Sequence, residues 1–312
     1  MHIVIMGTGG MGGYYGGLLS RAGNNVTFIA RGAHLAAIQQ NGLQVRSVHG
    51  DFVVSPAHAT DDVAGVPSPD LILFCVKTYH TDEAAAAVRP IVGPHTTVLS
   101  LQNGIDAPER IGRVVGMEHM IAGATWISSA VEAPGVIHQF SQFRRIVIGE
   151  LNARRTPRVE TACETLKQAG IEAELSDDIL KIMWTKFVFI AAASSFGSLT
   201  RLPIGEYRSV PETRFVIMAL LREVEAVARR QGIRLDADVV DKTMTFIDNN
   251  GPKIKPSMQV DVEAGRRTEI ESIIGVVGRR GRELGISTPV ADVLYASLLP
   301  VDLKARAAAE AA

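Results

Sequence analysis

Hydrophobic and polar positions alternate in blocks over the first half of the chain, in the order expected of strands separated by helices. An apolar run at residues 2–6 leads into a helical pattern at 10–22 that ends at Gly23, and a second apolar run covers 26–30. Further strand-like runs cover residues 70–76, 97–101, 121–127 and 145–149. Because helical patterns separate several of these runs, the order predicts a βαβ start and an α/β domain with a mostly parallel sheet.

The pattern changes in two steps towards the C-terminus. Pro134-Gly135 form a turn signal inside the segment 133–140, which predicts a hairpin and therefore antiparallel late strands, and a last short strand is predicted at 172–175. Beyond Ser176 the strand signals nearly vanish, and helical patterns cover residues 177–193, 211–231, 237–249 and 268–284. We therefore predict two domains, an α/β domain at 1–176 and an all-α domain at 177–312, with a fraying helix at 305–312.

Composition narrows the class of protein. The 312 residues are 46% hydrophobic and 21% charged, with a formal net charge of −1, which is ordinary for a globular protein and excludes the disordered and fibrous classes. This charge gives no electrostatic reason to expect nucleic acid or an anionic membrane as a partner, so a small molecule is the expected partner. Cys75 and Cys163 lie in apolar or helical surroundings and are expected to be core residues rather than a disulfide or metal ligands.

Targeting signals are not expected in this chain. The apolar run at the N-terminus goes straight into a glycine-rich segment without a basic leader or a cleavage site, which argues against a signal peptide. The most apolar later stretch, residues 187–193, is far shorter than the roughly 20 residues that cross a bilayer. We therefore expect a cytoplasmic protein without a membrane span.

The first predicted strand ends in a GxGxxG motif. Its six residues are Gly7, Thr8, Gly9, Gly10, Met11 and Gly12. Within a βαβ unit, Gly7 allows a tight turn, Gly9 lets a pyrophosphate approach the backbone, and Gly12 lets the helix pack closely on the strand. The unpaired N–H groups at the helix start would face the pyrophosphate. The alternative is a glycine-rich loop without function, but the complete βαβ context favours a Rossmann-like dinucleotide-binding domain.

Arg31 follows the second predicted strand, where a site for NAD usually places an acidic residue that accepts a hydrogen bond from the ribose 2′-hydroxyl. The first acidic residue of the chain is Asp51, so no carboxylate is expected near this position. A planar guanidinium suits a phosphate through paired, charge-assisted hydrogen bonds. The residue therefore favours NADP over NAD, the alternative being an exposed loop charge.

Two polar residues follow later strands, at the edge of the sheet where ligands bind in open α/β folds. Lys77 follows the apolar run at 71–76, and Asn103 follows the run at 98–102. Both are therefore candidates for contact with the cofactor. The alternatives are a solvated strand end for Lys77 and a plain turn at Asn103-Gly104, with the asparagine in a left-handed conformation.

Lys186 is the most unusual polar residue of the helical half. Its neighbours at helical spacing are Ile182, Met183, Phe189 and Ile190, so that it lies within an apolar stripe. Such a lysine either extends its ammonium group to water or is held by a partner, and desolvation would lower its pKa towards the range useful for proton transfer. Lys181, by contrast, lies outside this apolar stripe, and its neighbours at helical spacing are those of an ordinary surface charge.

Candidate partners lie at two later helix starts. The carboxylates of Glu269 and Glu271 could serve a catalytic lysine or simply sit in a first helical turn, where acidic residues are stabilising. Ser257 follows Pro256, and its hydroxyl could bind a substrate carboxylate or cap the helix.

Taken in order, these segments resemble the ketopantoate reductases (2-dehydropantoate 2-reductases), NADPH-dependent enzymes of pantothenate biosynthesis. The matching segments are GTGGMG at 7–12, Arg31, Val76-Lys77, Gln102-Asn103-Gly104, Trp184-Thr185-Lys186, Pro256-Ser257-Met258 and Arg267-Thr268-Glu269-Ile270. The resemblance implies a Rossmann domain followed by a helical domain. It also implies that Lys186 is the general acid, that Glu269 and Ser257 contact or support the substrate, and that Lys77 and Asn103 lie at the cofactor and substrate.

The chain departs from this family at one helical face. Better-known members place asparagines four and eight residues after the catalytic lysine, where this sequence has Ile190 and Ser194. Ser194 is retained as a candidate substrate contact. Losing a buried partner for a substrate hydroxyl would cost about 1–3 kcal/mol, enough to alter substrate preference without abolishing reduction.

These features lead to one expected function and two alternatives. We expect NADPH-dependent reduction of 2-dehydropantoate without a metal, with Lys186 and Glu269 as the catalytic residues. The first alternative is a reductase of another branched or hydrophobic 2-oxo acid, and the second is a non-catalytic NADP-binding sensor. The sequence leaves open whether the protein is a monomer or a homodimer.

Overall fold

A computed structural model describes residues 1–311 of the chain. It divides into two compact units, the first made of Met1–Gln102 and Ala107–Ile182 and the second of Asn103–Asp106 and Met183–Ala312. An α/β first unit and a helical second unit confirm the predicted fold class.

The first unit is built on one mixed sheet. Its strands are β1 (His2–Met6), β2 (Asn25–Ile29), β3 (Leu43–Ser47), β4 (Phe52–Val54), β5 (His58–Thr60), β6 (Leu71–Phe74), β7 (Thr97–Ser100), β8 (Met120–Ala133), β9 (Val136–Gly149) and β10 (Glu172–Leu175). The order across the sheet is β4-β3-β9-β8-β7-β6-β1-β2-β5, and β10 also pairs with β9. Six neighbouring strands of the sheet run parallel, in the order β8-β7-β6-β1-β2-β5. The β8–β9 hairpin turns at Pro134-Gly135, as predicted.

Helices cover both faces of this sheet. They are α1 (Gly10–Arg21), α2 (Gly32–Asn41), α3 (Thr81–Val88), α4 (Ala107–Val115) and α5 (Pro157–Gln168). Successive residues of β1 alternate between two cores, with Ile3 and Ile5 packed on the side of α1 and Val4 and Met6 on the side of α3. The apolar run is therefore buried on both faces, as expected of a parallel strand.

The second unit is helical in its described part. Its helices are α6 (Ile179–Thr200, which begins in the first unit), α7 (Ile204–Tyr207), α8 (Pro211–Arg230), α9 (Val239–Asn249), α10 (Ser257–Glu263), α11 (Val276–Leu284) and α12 (Pro289–Glu310). A π-helical turn, Glu271–Gly275, precedes α11. Phe187, Leu220 and Ile274 belong to the buried core that joins these helices.

Several elements were missed or predicted too short. Strands β3, β4 and β5 were not predicted. The helix predicted at 305–312, whose last residue lies outside the described part of the chain, is confirmed up to Glu310, but it is the end of the longer α12, which continues through Pro300. The apolar stretch predicted at 187–193 is longer than expected, because it is part of α6, whose 22 residues are enough to cross a membrane by length and composition alone. However, 61% of its most apolar window is buried inside the protein, as in the core helix of a globular domain.

The two cysteines are core residues, as predicted. Cys163 is buried, and Cys75 packs against the same apolar cluster. Burial raises the pKa of the Cys75 thiol to about 12, so this sulfur stays protonated and unreactive at neutral pH.

Candidate active site

The glycine motif has the predicted geometry. Gly7 adopts a left-handed φ of +100°, and a Cβ there would lie 2.8 Å from the backbone nitrogen of Val76. A Cβ on Gly12 would overlap the Gly7 carbonyl oxygen, which explains the close packing of α1 on β1. Gly10 lies against the backbone of Ser129, 2.6 Å from the position of a Cβ. Each of these positions therefore excludes a side chain because the protein itself fills the space.

Gly9 differs from the other three glycines of the motif. It precedes α1 with φ −78°, and no protein atom lies within 4 Å of the position that its Cβ would occupy. The space is therefore free for a ligand at the start of α1, and the first turn of this helix has no acidic residue to repel an anion. These features fit the pyrophosphate of a dinucleotide.

Two side chains hold this turn in place. The Thr8 hydroxyl donates to the Ile29 carbonyl at 2.9 Å, and His34 Nε2 lies 2.8 Å from the Thr8 carbonyl. The Gly135 N–H donates to His34 Nδ1 at 3.0 Å, so Nε2 must carry the proton. Burial lowers the pKa of His34, which favours this neutral form. No local pattern marks His34, because its two partners lie on distant segments.

Arg31 follows β2, as predicted, but its surroundings differ from those expected. It precedes α2, at the end of β2, and its side chain is 63% exposed. Its Nη2 lies 2.7 Å from the Glu83 Oε1 atom of α3. The expectation that no carboxylate lies near Arg31 was therefore wrong, since the fold supplies one from a later helix.

Lys77 follows β6 at the same edge of the sheet as the glycine motif. Met6 pairs with both Ile29 and Phe74, so the segments that follow β1, β2 and β6 leave the sheet side by side. Gln102 supports this edge, because its Nε2 donates to the Val76 carbonyl and to the Thr81 hydroxyl, each at 2.9 Å. This supporting role of Gln102 was not predicted.

Lys186 lies on α6 in the second unit, where its Nζ donates to Asn103 Oδ1 at 3.1 Å. Desolvation lowers the pKa of Lys186 to about 8, and the charge of Glu269 opposes this effect. Glu269 is buried and lies just before the helical segment that starts at Ile270. Three predicted residues from distant parts of the sequence thus interact in one polar group, which is suited to holding and releasing a proton at Nζ.

The structure also discriminates between alternatives left open by the sequence. The left-handed residue of the turn is Gly104 with φ +92°, and not Asn103. Glu271 is engaged elsewhere, because its carboxylate accepts hydrogen bonds from Arg279 and Tyr295 at 2.7 and 2.8 Å. Of the two carboxylates, Glu269 is therefore the one that can act on Lys186.

The other candidate substrate contacts differ in exposure. Ser257 is exposed at the first residue of α10, and the N-cap position is occupied by Pro256, so the capping alternative is not supported. Ser194 is buried within α6, and Ile190 is partly buried one helical turn after Lys186. Residues 1–311 contain no group of three or more histidine, cysteine or acidic residues that could hold a metal ion.

Comparison with known proteins gives a consistent result. Residues 3–153 match the family profile described as ketopantoate reductase PanE/ApbA, and residues 178–301 match the profile of its C-terminal part. A 2-dehydropantoate 2-reductase from Pyrococcus abyssi is 30% identical over 298 residues, which cover 95% of this chain and 96% of the relative.

Solved structures extend the comparison to the fold. A PanE/ApbA family ketopantoate reductase from Ralstonia eutropha JMP134 superimposes with a TM-score of 0.90 at 31% identity, covering 98% of this chain and 100% of the other. A D-mandelate dehydrogenase solved with NADH and anilino(oxo)acetate has the same fold, with a TM-score of 0.89 at 24% identity and coverage of 98% and 99%. The resemblance inferred from the motifs is thus confirmed, and the chain belongs to the ketopantoate reductase PanE/ApbA family of oxidoreductases acting on CH–OH and C=O groups.

Proposed function

We propose that this protein reduces 2-dehydropantoate to pantoate with NADPH, a step of pantothenate and coenzyme A biosynthesis. The observation that carries the proposal is the Lys186 ammonium group, hydrogen-bonded to Asn103 and influenced by Glu269, in a chain of this family. A lysine with a pKa of about 8 is suited to protonating an oxygen atom during carbonyl reduction.

The residues of the first unit fit the cofactor. The start of α1 and the open space beside Gly9 would hold the pyrophosphate, and the Arg31 guanidinium would bind a 2′-phosphate. Lys77 leaves the sheet at the same edge and would add a positive charge to this site. When bound, NADPH supplies a hydride ion to the keto carbon of the substrate.

Lys186 acts on the carbonyl oxygen. As the keto carbon gains the hydride, the electron pair of the C=O bond moves to the oxygen, and the Lys186 ammonium stabilises the negative charge that develops there. Lys186 Nζ then transfers a proton to this oxygen to give the hydroxyl, and the neutral amine recovers a proton from water. Asn103 orients Nζ through its side-chain oxygen, and Glu269 favours the charged form of the lysine.

The substrate is tested with a panel of 2-oxo acids, in which NADPH oxidation is followed optically. The most informative pair is 2-dehydropantoate and trimethylpyruvate, since the second lacks only the hydroxyl group of the first. We expect a higher kcat/KM for 2-dehydropantoate. A preference for trimethylpyruvate or an aromatic 2-oxo acid would overturn the proposed substrate while leaving the reductase chemistry intact.

Ile190 supports a second candidate function, the reduction of another branched or hydrophobic 2-oxo acid. Its apolar side chain lies one helical turn from Lys186, where it offers no hydrogen bond to a substrate hydroxyl. We expect the Ile190→Asn variant to raise the kcat/KM ratio of 2-dehydropantoate to trimethylpyruvate by about tenfold, from one added hydrogen bond. The ratio is measured under identical conditions for both proteins, and an unchanged ratio would show that residue 190 does not contact this part of the substrate.

The pKa of Lys186 predicts how the reaction depends on pH. Its ammonium form predominates below about pH 8 and is lost above it. Since reduction consumes the proton that this form carries, we expect kcat/KM for reduction to fall as the pH rises through about 8, and the reverse oxidation to increase over the same interval. Steady-state kinetics in both directions measure this, and a flat reduction profile across this range would argue against Lys186 as the acid.

A further inference from the structure

The ion pair between Arg31 and Glu83 brings opposite charges together at the edge of the cofactor site. The two side chains are 63% and 54% exposed, and their nearest charged atoms lie 2.7 Å apart. Glu83 belongs to the first turn of α3, and its second carboxylate oxygen lies 3.3 Å from His80 Nδ1. The hydrogen bond from Arg31 lowers the pKa of Glu83, so the carboxylate is charged at neutral pH.

The position of this pair connects it to the ribose end of a dinucleotide. In doubly wound folds, the residue after the second strand faces the adenosine ribose, where a carboxylate accepts from the 2′-hydroxyl of NAD and a guanidinium binds the 2′-phosphate of NADP. Here both groups are present, because β2 leads to the guanidinium and α3 supplies the carboxylate.

The two groups have opposite effects on a 2′-phosphate. Arg31 attracts it, whereas Glu83 occupies one edge of the guanidinium and repels a second anion close to it. A cofactor without the 2′-phosphate meets no such repulsion, and its hydroxyl groups can donate to the carboxylate. The pair is exposed, so the repulsion is reduced by water and salt.

We propose that Glu83 is a specificity-determining residue for the cofactor, which weakens the selectivity of Arg31 for the 2′-phosphate and lets the enzyme use NADH as well as NADPH. This inference rests on the proposed use of a nicotinamide dinucleotide and adds to it a residue that limits the choice between the two cofactors. Glu83 contacts the cofactor-binding arginine and has no part in proton transfer at Lys186.

The test compares Glu83→Gln with a matched control, Asp82→Asn. Both variants remove one negative charge from the first turn of α3, but Asp82 pairs with Arg110, at 3.0 Å. Isothermal titration calorimetry gives the Kd values of NADPH and NADH for the full chain without any 2-oxo acid. We expect Glu83→Gln to lower the Kd of NADPH by about five- to tenfold and not to lower the Kd of NADH. We expect Asp82→Asn to leave both Kd values within about twofold of the wild type.

Three results would overturn the inference. An unchanged NADPH affinity in Glu83→Gln would show that the carboxylate does not influence the phosphate, and a weaker one would show that it serves to hold Arg31 in place for NADPH. An equal gain in NADPH affinity in Asp82→Asn would show that the effect comes from the change in net charge alone. The readout is independent of the substrate: a selectivity shift without turnover of 2-dehydropantoate would refute only the proposed reaction, whereas no binding of either nucleotide would refute both.

Discussion

Replacing Lys186 by alanine is expected to lower the turnover of 2-oxo acid reduction by about 10²–10⁴-fold or more and to leave the affinity for NADPH nearly unchanged. The substitution removes both the proton donor and the positive charge that stabilises the developing alkoxide. The glycine motif and Arg31 are left intact, so nucleotide binding should be retained. Stopped-flow single-turnover rates measure the first quantity, and calorimetric titration measures the second.

Two control variants show whether the loss of turnover is specific to the Lys186 side chain. Lys181→Ala removes a lysine five positions earlier on the same helix, and we expect its turnover to be close to that of the wild type. Lys186→Arg keeps a positive charge but replaces a group of pKa about 8 with one that stays protonated, so it should bind substrate yet transfer the proton poorly. Normal turnover in Lys186→Ala would refute the assignment of this residue as the general acid.

Alanine substitutions of two glycines of the same motif are expected to have different effects: one lowers the stability of the protein, and the other lowers its affinity for the dinucleotide. In Gly12→Ala the added Cβ would overlap the Gly7 carbonyl oxygen and lie 3.0 Å from Cys75 Cβ, so the free energy of unfolding should fall by about 3 kcal/mol. In Gly9→Ala the added methyl group meets no protein atom, so the free energy of unfolding should change by less than about 1 kcal/mol. The affinity for the dinucleotide, however, should fall sharply. Gly9→Ala therefore separates the binding role from the structural one.

Urea unfolding and calorimetric titration of both variants measure the two quantities. The matched comparison matters because both changes add the same methyl group to one motif, three positions apart. A Gly9→Ala variant that binds NADPH as tightly as the wild type would show that no ligand group approaches this backbone position.

Strong local patterns made much of the fold predictable. The apolar run of β1, the helix start at Gly10 and the short strand β10 were predicted with the observed bounds, since each has a distinct signal within a few residues. Strands β4 and β5 have only three residues each, too few to show an alternating pattern, and β5 pairs with β2, which is not its neighbour in sequence. Pro300 obscured the length of α12, because proline usually ends a helix.

The candidate site was predictable to the extent that single side chains stood out from their surroundings. Lys186 was identified by a charge within an apolar stripe, but its contact with Asn103 spans 83 positions and has no sequence signal. Glu83 lies 52 positions after Arg31 on a helix whose pattern gives no reason to associate the two. Residue identity thus predicted which groups do chemistry, while the fold determined which of them meet.

The packing of the glycine motif separates positions that the protein requires from one that the ligand requires. Val76, Ser129 and the Gly7 carbonyl oxygen restrict Gly7, Gly10 and Gly12, whereas nothing in the protein restricts Gly9. If a descendant of this chain lost its cofactor but kept its fold, three glycines would remain under selection for stability and Gly9 would be free to change. The identity of residue 9 is therefore a marker by which cofactor-dependent members of a diverging lineage can be distinguished from members that retain only the architecture.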